Sequence, residues 1–159
     1  MVRSLLSTSL FLTLLICCSN TNSNNEQIVN DLPALQIQLN DGSNVSVKTL
    51  PGKIALILFF PDCDHCQREA AQIQKHIAGF KDYTLYFISS APFEEINHFA
   101  STYQLQNYKN VVFARTEAKN VLNAFGPIET PTIYLYDKNG KLIETFSGEV
   151  AIEVVLKYI

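Results

Sequence analysis

Residues 56–70 decide the fold, and they read LILFFPDCDHCQREA. An apolar run typical of a buried strand comes first, a proline-marked turn follows, and a C-x-x-C pair then leads into a helix. The helix is indicated by apolar residues spaced alternately by four and three positions, the spacing of one buried face: Cys66, Ala70, Ile73, Ile77 and Phe80. We therefore predict a strand over residues 54–60 and a helix over about residues 66–80.

The two cysteines occupy different positions relative to this helix. Cys63 precedes the first turn, where unpaired backbone N–H groups and the positive end of the helix dipole favour a thiolate. Cys66 lies on the apolar face, and we expect it to be the buried partner. This arrangement suits a disulfide that opens and closes.

Three interpretations of the cysteine pair compete. A structural disulfide would close a loop too short to constrain much of the unfolded chain. A zinc site would need a second pair of ligands, and beyond the N-terminal region the chain offers only three scattered histidines and no second cysteine pair. A redox pair is favoured, because C-x-x-C between a strand and a helix is typical of thioredoxin-like proteins.

Length and composition indicate one domain with an N-terminal appendage. The chain has 159 residues, of which 47% are hydrophobic and 17% charged, so it can form a core. Its net charge of −3 gives no support for a polyanion-binding surface, and we predict no nucleic-acid partner.

The N-terminal region is expected to be a signal and a tether. Residues 1–18 combine a basic start with an apolar segment shorter than the roughly 20 residues that span a membrane, which predicts a secretory signal peptide. Residues 19–31 are polar and rich in asparagine, so we predict a flexible tether. The folded domain is then expected to cover residues 32–159.

The signal resembles that of a bacterial lipoprotein. Its apolar segment ends in LICCSN, which is similar to a lipobox with a cysteine that is lipidated and becomes the new N-terminus. Cys18 is the better acceptor, because Leu15 stands three positions before it and the small Cys17 directly before it. Cys17 is the alternative acceptor. Lipidation at either residue would anchor the domain to a membrane.

Beyond the tether, strands and helices are predicted to alternate. Alternating apolar residues on either side of Asp41-Gly42 predict an N-terminal β-hairpin. Further strands are predicted over residues 83–89, 111–114, 132–136 and 142–146, and further helices over residues 93–104, 117–125 and 150–158. The predicted class is α/β, with a central mixed β-sheet flanked by helices and an extra hairpin at the N-terminus.

Taken in order, these features resemble the TlpA-like and ResA-like thiol–disulfide oxidoreductases. The resemblance is carried by LPGK at residues 50–53, C-x-x-C at residues 63–66, TPT at residues 130–132 and DKNGK at residues 137–141. Members of this family are membrane-tethered, extracytoplasmic proteins of the thioredoxin superfamily and are related to the peroxiredoxins. The resemblance covers about residues 32–159 and implies a thioredoxin-like fold.

The resemblance also implies roles for individual residues. Cys63 would attack a disulfide and Cys66 would resolve the resulting mixed disulfide. Pro131 would be a cis-proline beside the pair, and Thr130 would offer backbone hydrogen bonds to a bound client. An ordinary trans turn proline is the alternative for Pro131. No metal and no cofactor other than the Cys63–Cys66 disulfide is implied.

Two residues between the cysteines are candidate modulators. A partly protonated His65 would stabilise a Cys63 thiolate, whereas the charge of Asp64 would oppose it. These effects have opposite sign and similar reach, so the sequence does not fix the direction of disulfide exchange. The alternative is that both are ordinary solvated turn residues.

The chain also departs from the family pattern. It contains no tryptophan, and Phe59 and Asp62 occupy the positions before Cys63 where the family often has this residue. Ile57 stands where thioredoxins place a buried acid that relays protons. Glu129, near the proline, or water would have to replace that acid.

The predicted function is thiol–disulfide exchange with client proteins in the bacterial cell envelope, by a lipid-anchored domain that an unidentified redox partner recycles. One alternative is a peroxiredoxin-like thiol peroxidase, although the chain lacks the Pro-x-x-x-Thr-x-x-Cys pattern. Another is a copper-binding delivery protein, which would use C-x-x-x-C, one residue longer than the spacing here.

Overall fold

A computed structural model describes residues 31–159. The strands of this region are β1 Gln36–Leu39, β2 Asn44–Ser46, β3 Lys53–Leu58, β4 Tyr83–Ser89, β5 Val111–Arg115, β6 Thr132–Tyr136 and β7 Leu142–Ser147. Its helices are α1 Asp64–Lys75, α2 Phe93–Thr102, α3 Ala118–Phe125 and α4 Ile152–Val155. The predicted signal peptide, most of the tether and Cys18 lie outside the described residues.

The strands form one mixed sheet in the order β2-β1-β5-β4-β3-β6-β7. β3 pairs in parallel with β4 and antiparallel with β6. The antiparallel register places Leu58, at the end of β3, opposite Thr132, at the start of β6. The turn that carries Cys63 and the segment that carries Pro131 therefore lie at the same end of the central strands. The predicted N-terminal hairpin is confirmed, because β1 and β2 pair antiparallel at the far side of the sheet.

The core divides into two clusters, one on each face of the sheet. Alternate residues of β3 belong to different clusters, with Ala55 and Ile57 in one and Ile54 and Leu56 in the other. The first cluster takes in the apolar faces of α1, α2 and α4. The second is covered by α3 and by the segment that precedes β1. The sheet is thus flanked by helices on both faces, as predicted.

The first helix ends earlier than its apolar pattern predicts. α1 stops at Lys75, and Ile77–Phe80 forms a separate 3₁₀ turn that still buries Phe80. A Cβ at Gly79 would lie 2.7 Å from Leu156 Cδ2, so a side chain at this position would force the Leu156 side chain to shift. The last helix is also shorter than predicted, because Leu156–Tyr158 is a 3₁₀ turn. Within residues 31–159, no helix is both long and apolar enough to cross a bilayer.

Candidate active site

Cys63 occupies the N-cap of α1, as the sequence predicts. Its backbone is extended, with φ −83° and ψ 115°, and its sulfur accepts the backbone N–H of Cys66 at 3.4 Å. The preceding turn is held to the helix, because Cys63 N–H donates to the Phe60 carbonyl and the Gln67 side chain donates to the Pro61 carbonyl. The fold therefore directs an N–H group of the first helical turn at a half-buried sulfur, which is a setting that favours reactive cysteines.

Cys66 is the buried member of the pair. Only 2% of its surface is exposed, and burial raises the pKa of its thiol to about 12. The hydrogen bond with Cys63 acts in the same direction. Both cysteines are free thiols in this structure. The two sulfurs thus differ in accessibility as predicted, and Cys66 holds its proton more tightly than an exposed thiol does.

The proline segment lies against the reactive sulfur. The Thr130–Pro131 peptide bond is cis, which confirms the prediction. The Thr130 carbonyl oxygen is 3.7 Å from Cys63 Sγ and accepts a hydrogen bond from the Cys63 thiol. On the other side, Gly148 N–H donates to the Pro131 carbonyl at 2.9 Å, so the loop after β7 is joined to this segment. The Thr130 carbonyl is consequently held against Cys63 Sγ.

Glu69 is a site residue that the sequence analysis missed. Its side chain is 1% exposed, and neither carboxylate oxygen has a hydrogen-bond partner of normal geometry. Burial raises the pKa of Glu69 to about 8, and the nearby Val150 N–H offsets this only in part. Glu69 follows Cys66 by three residues on the same face of α1, and when it is ionised its charge adds a small further rise to the pKa of Cys66.

The sequence contained one sign that Glu69 could belong to the site, namely its spacing of three residues from Cys66. A glutamate one turn after a buried cysteine shares its helix face. Its burial could not be read from the apolar pattern, which runs through Ala70 and Ile73. The suggested substitute acid, Glu129, is exposed, and only its backbone carbonyl is engaged, by the Thr132 hydroxyl. The buried acid of this site therefore comes from α1, not from the proline segment.

The two candidate modulators are both exposed, yet one of them is fixed by contacts. His65 Nδ1 lies 2.8 Å from Glu149 Oε2, and the Arg68 guanidinium also binds Glu149. Sequence reasoning missed Glu149 and Arg68, because the first of these lies 84 positions from His65 along the chain. Asp64 sits in the first turn of α1 and is exposed. Whether either residue tunes the cysteines stays a prediction.

An apolar groove opens beside the cysteines. It encloses about 420 Å³ between the end of β3, the start of α3 and the residues that lead to Thr130. Two of its large side chains, Phe60 and Leu122, are 40% and 55% exposed. Thr130 lines the groove and also contacts Cys63, so the groove and the reactive sulfur share a wall. Within residues 31–159, no group of three or more histidine, cysteine or acidic side chains is arranged to hold a metal ion.

Comparison with known proteins gives a family and a fold. The model of the AhpC/TSA family matches residues 28–145. Comparison with curated protein sequences finds no significant match. Among solved structures, Mycobacterium tuberculosis dsbF is similar with a TM-score of 0.68 and 18% identity, over 82% of this chain and 96% of that one.

Two further solved structures are similar in fold. A secreted M. tuberculosis disulfide oxidoreductase homologous to E. coli DsbE has a TM-score of 0.66 and 15% identity, over 79% of this chain and 93% of that one. Arabidopsis thaliana ScoI, solved with copper bound, has a TM-score of 0.62 and 14% identity, over 77% of this chain and 89% of that one. At these identities the likeness establishes the thioredoxin-like fold.

Proposed function

Because the chain belongs to the AhpC/TSA family, we propose that it is a thiol–disulfide oxidoreductase that exchanges disulfides with client proteins outside the cytoplasm. One observation carries the proposal, namely the asymmetry of the two sulfurs. Cys63 is reachable, at a helix N-terminus, with the Thr130 carbonyl beside it. Cys66 is buried, with a pKa of about 12. This is the division that a nucleophilic and a resolving cysteine require.

The reaction proceeds in two exchanges. The Cys63 thiolate attacks one sulfur of a client disulfide, so that a Cys63–client bond forms while the client S–S bond breaks. The released client thiolate takes up a proton. Cys66 then loses its proton and attacks Cys63 Sγ, which forms the Cys63–Cys66 disulfide and releases the second client thiol. Two electrons pass from the cysteine pair to the client, and the reverse sequence oxidises a client dithiol.

The second exchange needs a base, because a buried thiol with a pKa of about 12 is almost wholly protonated at neutral pH. We assign that role to Glu69, which lies one helical turn from Cys66 and has a pKa of about 8. A carboxyl group with this pKa exchanges protons readily near neutral pH. The fraction of molecules in which Glu69 is ionised near neutral pH would accept the Cys66 proton, directly or through water, and return it in the opposite direction.

The client is proposed to be an extended polypeptide with an apolar side chain close to its reactive cysteine. The apolar groove shares Thr130 with the reactive sulfur, so a client joined to Cys63 brings its neighbouring residues over Phe60 and Leu122. Burial of one client leucine or phenylalanine there contributes roughly 1.5–3 kcal/mol. That energy would favour clients that are at least locally unfolded, since apolar side chains are otherwise inside a folded protein.

The proposed location follows from the N-terminal sequence. A signal peptide over residues 1–18, lipidation at Cys18 and a tether over residues 19–31 would hold the domain at the outer surface of a membrane in the cell envelope. Disulfides persist in such oxidising compartments, where exchange with clients is useful. A secreted oxidoreductase among the similar structures is in keeping with this location.

The test is to trap the intermediate on one cysteine. In the Cys66→Ser variant, Cys63 should accumulate a mixed disulfide with a reducible substrate such as insulin, whereas Cys63→Ser should accumulate none. Both variants should lose catalysed insulin reduction. Reductase activity that survives in Cys63→Ser would refute the proposal.

Two other functions have a specific observation in their favour, the family model for a thiol peroxidase and copper-bound ScoI for a metal binder. Peroxide consumption by the wild-type protein that is much faster than its disulfide exchange would establish the first. Stoichiometric copper binding by the reduced protein, with no exchange activity, would establish the second.

A further inference from the structure

A three-residue cluster joins the loop after β7 to the start of α1. The Glu149 carboxylate accepts from Arg68 Nε at 3.0 Å and from Arg68 Nη2 at 2.6 Å. His65 Nδ1 is 2.8 Å from Glu149 Oε2 and also 2.8 Å from Arg68 Nη2. Because a guanidinium only donates, Nδ1 either accepts from Arg68 or donates to Glu149. In both cases this nitrogen is occupied, and the ring is fixed relative to the helix.

The loop that presents Glu149 also contacts the proline segment. Gly148 adopts a φ of +75°, which favours glycine, and its N–H donates to the Pro131 carbonyl. One short segment therefore touches the cis-proline with one residue and the helix that carries both cysteines with the next. Glu149 is not merely a distant surface charge, since its position is set by the same loop that borders the site.

The charges of the cluster bear on the reactive sulfur. Hydrogen bonds from Arg68 and His65 lower the pKa of Glu149 to about 2, so it is ionised whenever the protein is folded at ordinary pH. The hydrogen bond with Glu149 is the main cause that raises the pKa of Arg68, and the charge of an ionised Cys63 acts in the same direction with a smaller effect. The ionised Glu149 carboxylate opposes the Arg68 charge, and it therefore weakens the attraction between Arg68 and a Cys63 thiolate.

We propose that Glu149 is a positioning residue that sets the reduction potential of the Cys63–Cys66 pair, by compensating Arg68 and by holding His65 in place. The inference rests on the proposed function, because a reduction potential matters only if the pair cycles. Positive charge near Cys63 stabilises the thiolate, which belongs to the reduced state and makes the pair more oxidising. Glu149 removes part of that stabilisation and so keeps the pair more reducing.

Two other carboxylates near Cys63 are present in each of these variants and form a constant background. They are Asp62, in the preceding turn, and Asp64, in the first turn of α1. Their negative charges oppose a thiolate. Arg68 and His65 are thus the groups in this part of the site that could favour it, and Glu149 contacts both.

The test compares two substitutions that should act in opposite directions. Glu149→Gln keeps an acceptor for Arg68 but removes the negative charge, so the potential should rise and Cys63 alkylation should begin at lower pH. Arg68→Gln leaves the negative charge of Glu149 without its positive partner. The reduction potential should therefore fall, and Cys63 alkylation should begin at higher pH. For exposed ion pairs of this type we expect a change of roughly threefold in the equilibrium with glutathione, which corresponds to about 15 mV for a two-electron couple.

The chain offers a matched control. Glu153 contacts His76 Nε2 at 3.2 Å, and this pair also joins a C-terminal glutamate to a histidine, at the opposite end of α1. Glu153→Gln should leave the potential at the wild-type value. The inference is refuted if Glu149→Gln shifts the potential no more than Glu153→Gln does. It is also refuted if the Glu149 and Arg68 variants shift it in the same direction, because a purely structural role would do that.

Failure of the proposed function has a different signature. A wild-type protein that forms no Cys63–Cys66 disulfide in glutathione buffers, or that forms one but exchanges it with no client, would refute the function itself. If the wild-type protein cycles normally but Glu149→Gln and Arg68→Gln leave the reduction potential unchanged, only the role of Glu149 is refuted.

Discussion

Replacement of Glu69 by glutamine should change both the stability and the catalytic cycle. Burial raises the pKa of this carboxyl from 4.5 to about 8. At 1.36 kcal/mol per pH unit, that rise means that ionised Glu69 is about 5 kcal/mol less favourable in the folded protein than in the unfolded chain. This value is an upper bound, because local relaxation and water entry reduce the cost.

The sign of the pH dependence follows from the direction of this pKa change. Below pH 4.5 the carboxyl is protonated in both the folded and the unfolded state, and folding incurs no ionisation cost. Between pH 4.5 and about 8 the unfolded chain loses this proton while the folded protein keeps it, so the free energy of unfolding falls as pH rises. Glutamine has nearly the same shape and does not titrate, so Glu69→Gln should lack this part of the decline.

The stability assay is denaturant unfolding of reduced wild-type and Glu69→Gln protein across that pH window. We expect similar free energies of unfolding at its acidic end and a more stable variant at its basic end. Glu153→Gln, which removes an exposed carboxylate, serves as the control for charge alone. A difference between wild type and Glu69→Gln that is constant across the window would refute the assignment of a buried, protonated Glu69.

The kinetic assay follows the second exchange. Without a base for Cys66, resolution of the mixed disulfide should slow on the order of 100-fold near neutral pH, and the Cys63–client intermediate should accumulate. Formation of that intermediate should be nearly unchanged, because Cys66 keeps its proton in the first exchange. An unaltered resolution rate in Glu69→Gln would show that another group or water removes the proton.

Three further predictions concern accessibility, client binding and anchoring. Alkylation of the reduced protein at mildly acidic pH should modify Cys63 before Cys66, since Cys66 is buried with a pKa of about 12. Peptide mass analysis gives the order of modification, and the reverse order would contradict the roles assigned to the two cysteines. Leu122→Ser should raise KM for protein clients roughly tenfold, by loss of about 1.5 kcal/mol of apolar contact. Leu142→Ser, on β7, should not raise it, although Leu142 is also largely exposed, at 43% against 55% for Leu122; equal effects of the two variants would show that the groove does not bind clients. Cys18→Ser should release the protein from membranes, and labelled lipid retained by this variant would point to Cys17.

Much of the fold follows from local patterns. The sequence predicts β4 over residues 83–89 and, from alternating apolar residues, β6 over residues 132–136, both with the bounds that the structure has. A run of apolar residues that leads into C-x-x-C predicts β3 and the start of α1. These patterns suffice because the period of side chains along a strand or helix is a property of the local backbone. The end of α1 was not predictable in this way, because the apolar spacing continues through Ile77 and Phe80 although these residues form a separate 3₁₀ turn after Lys75.

The sequence by itself determined the spacing of the two cysteines, and the tertiary structure decided their environment. Cys63 and Cys66 are separated by two residues, so the geometry of one helical turn fixes their relation. Glu69 is an ordinary polar residue in the sequence, and its high pKa arises only when the loop after β7 and the core close over it. Glu149 reaches His65 across 84 positions because the β6–β7 hairpin returns the chain to the end of the sheet where α1 begins. Burial and long-range charge pairing depend on all packed elements together, and no local pattern of residues encodes them.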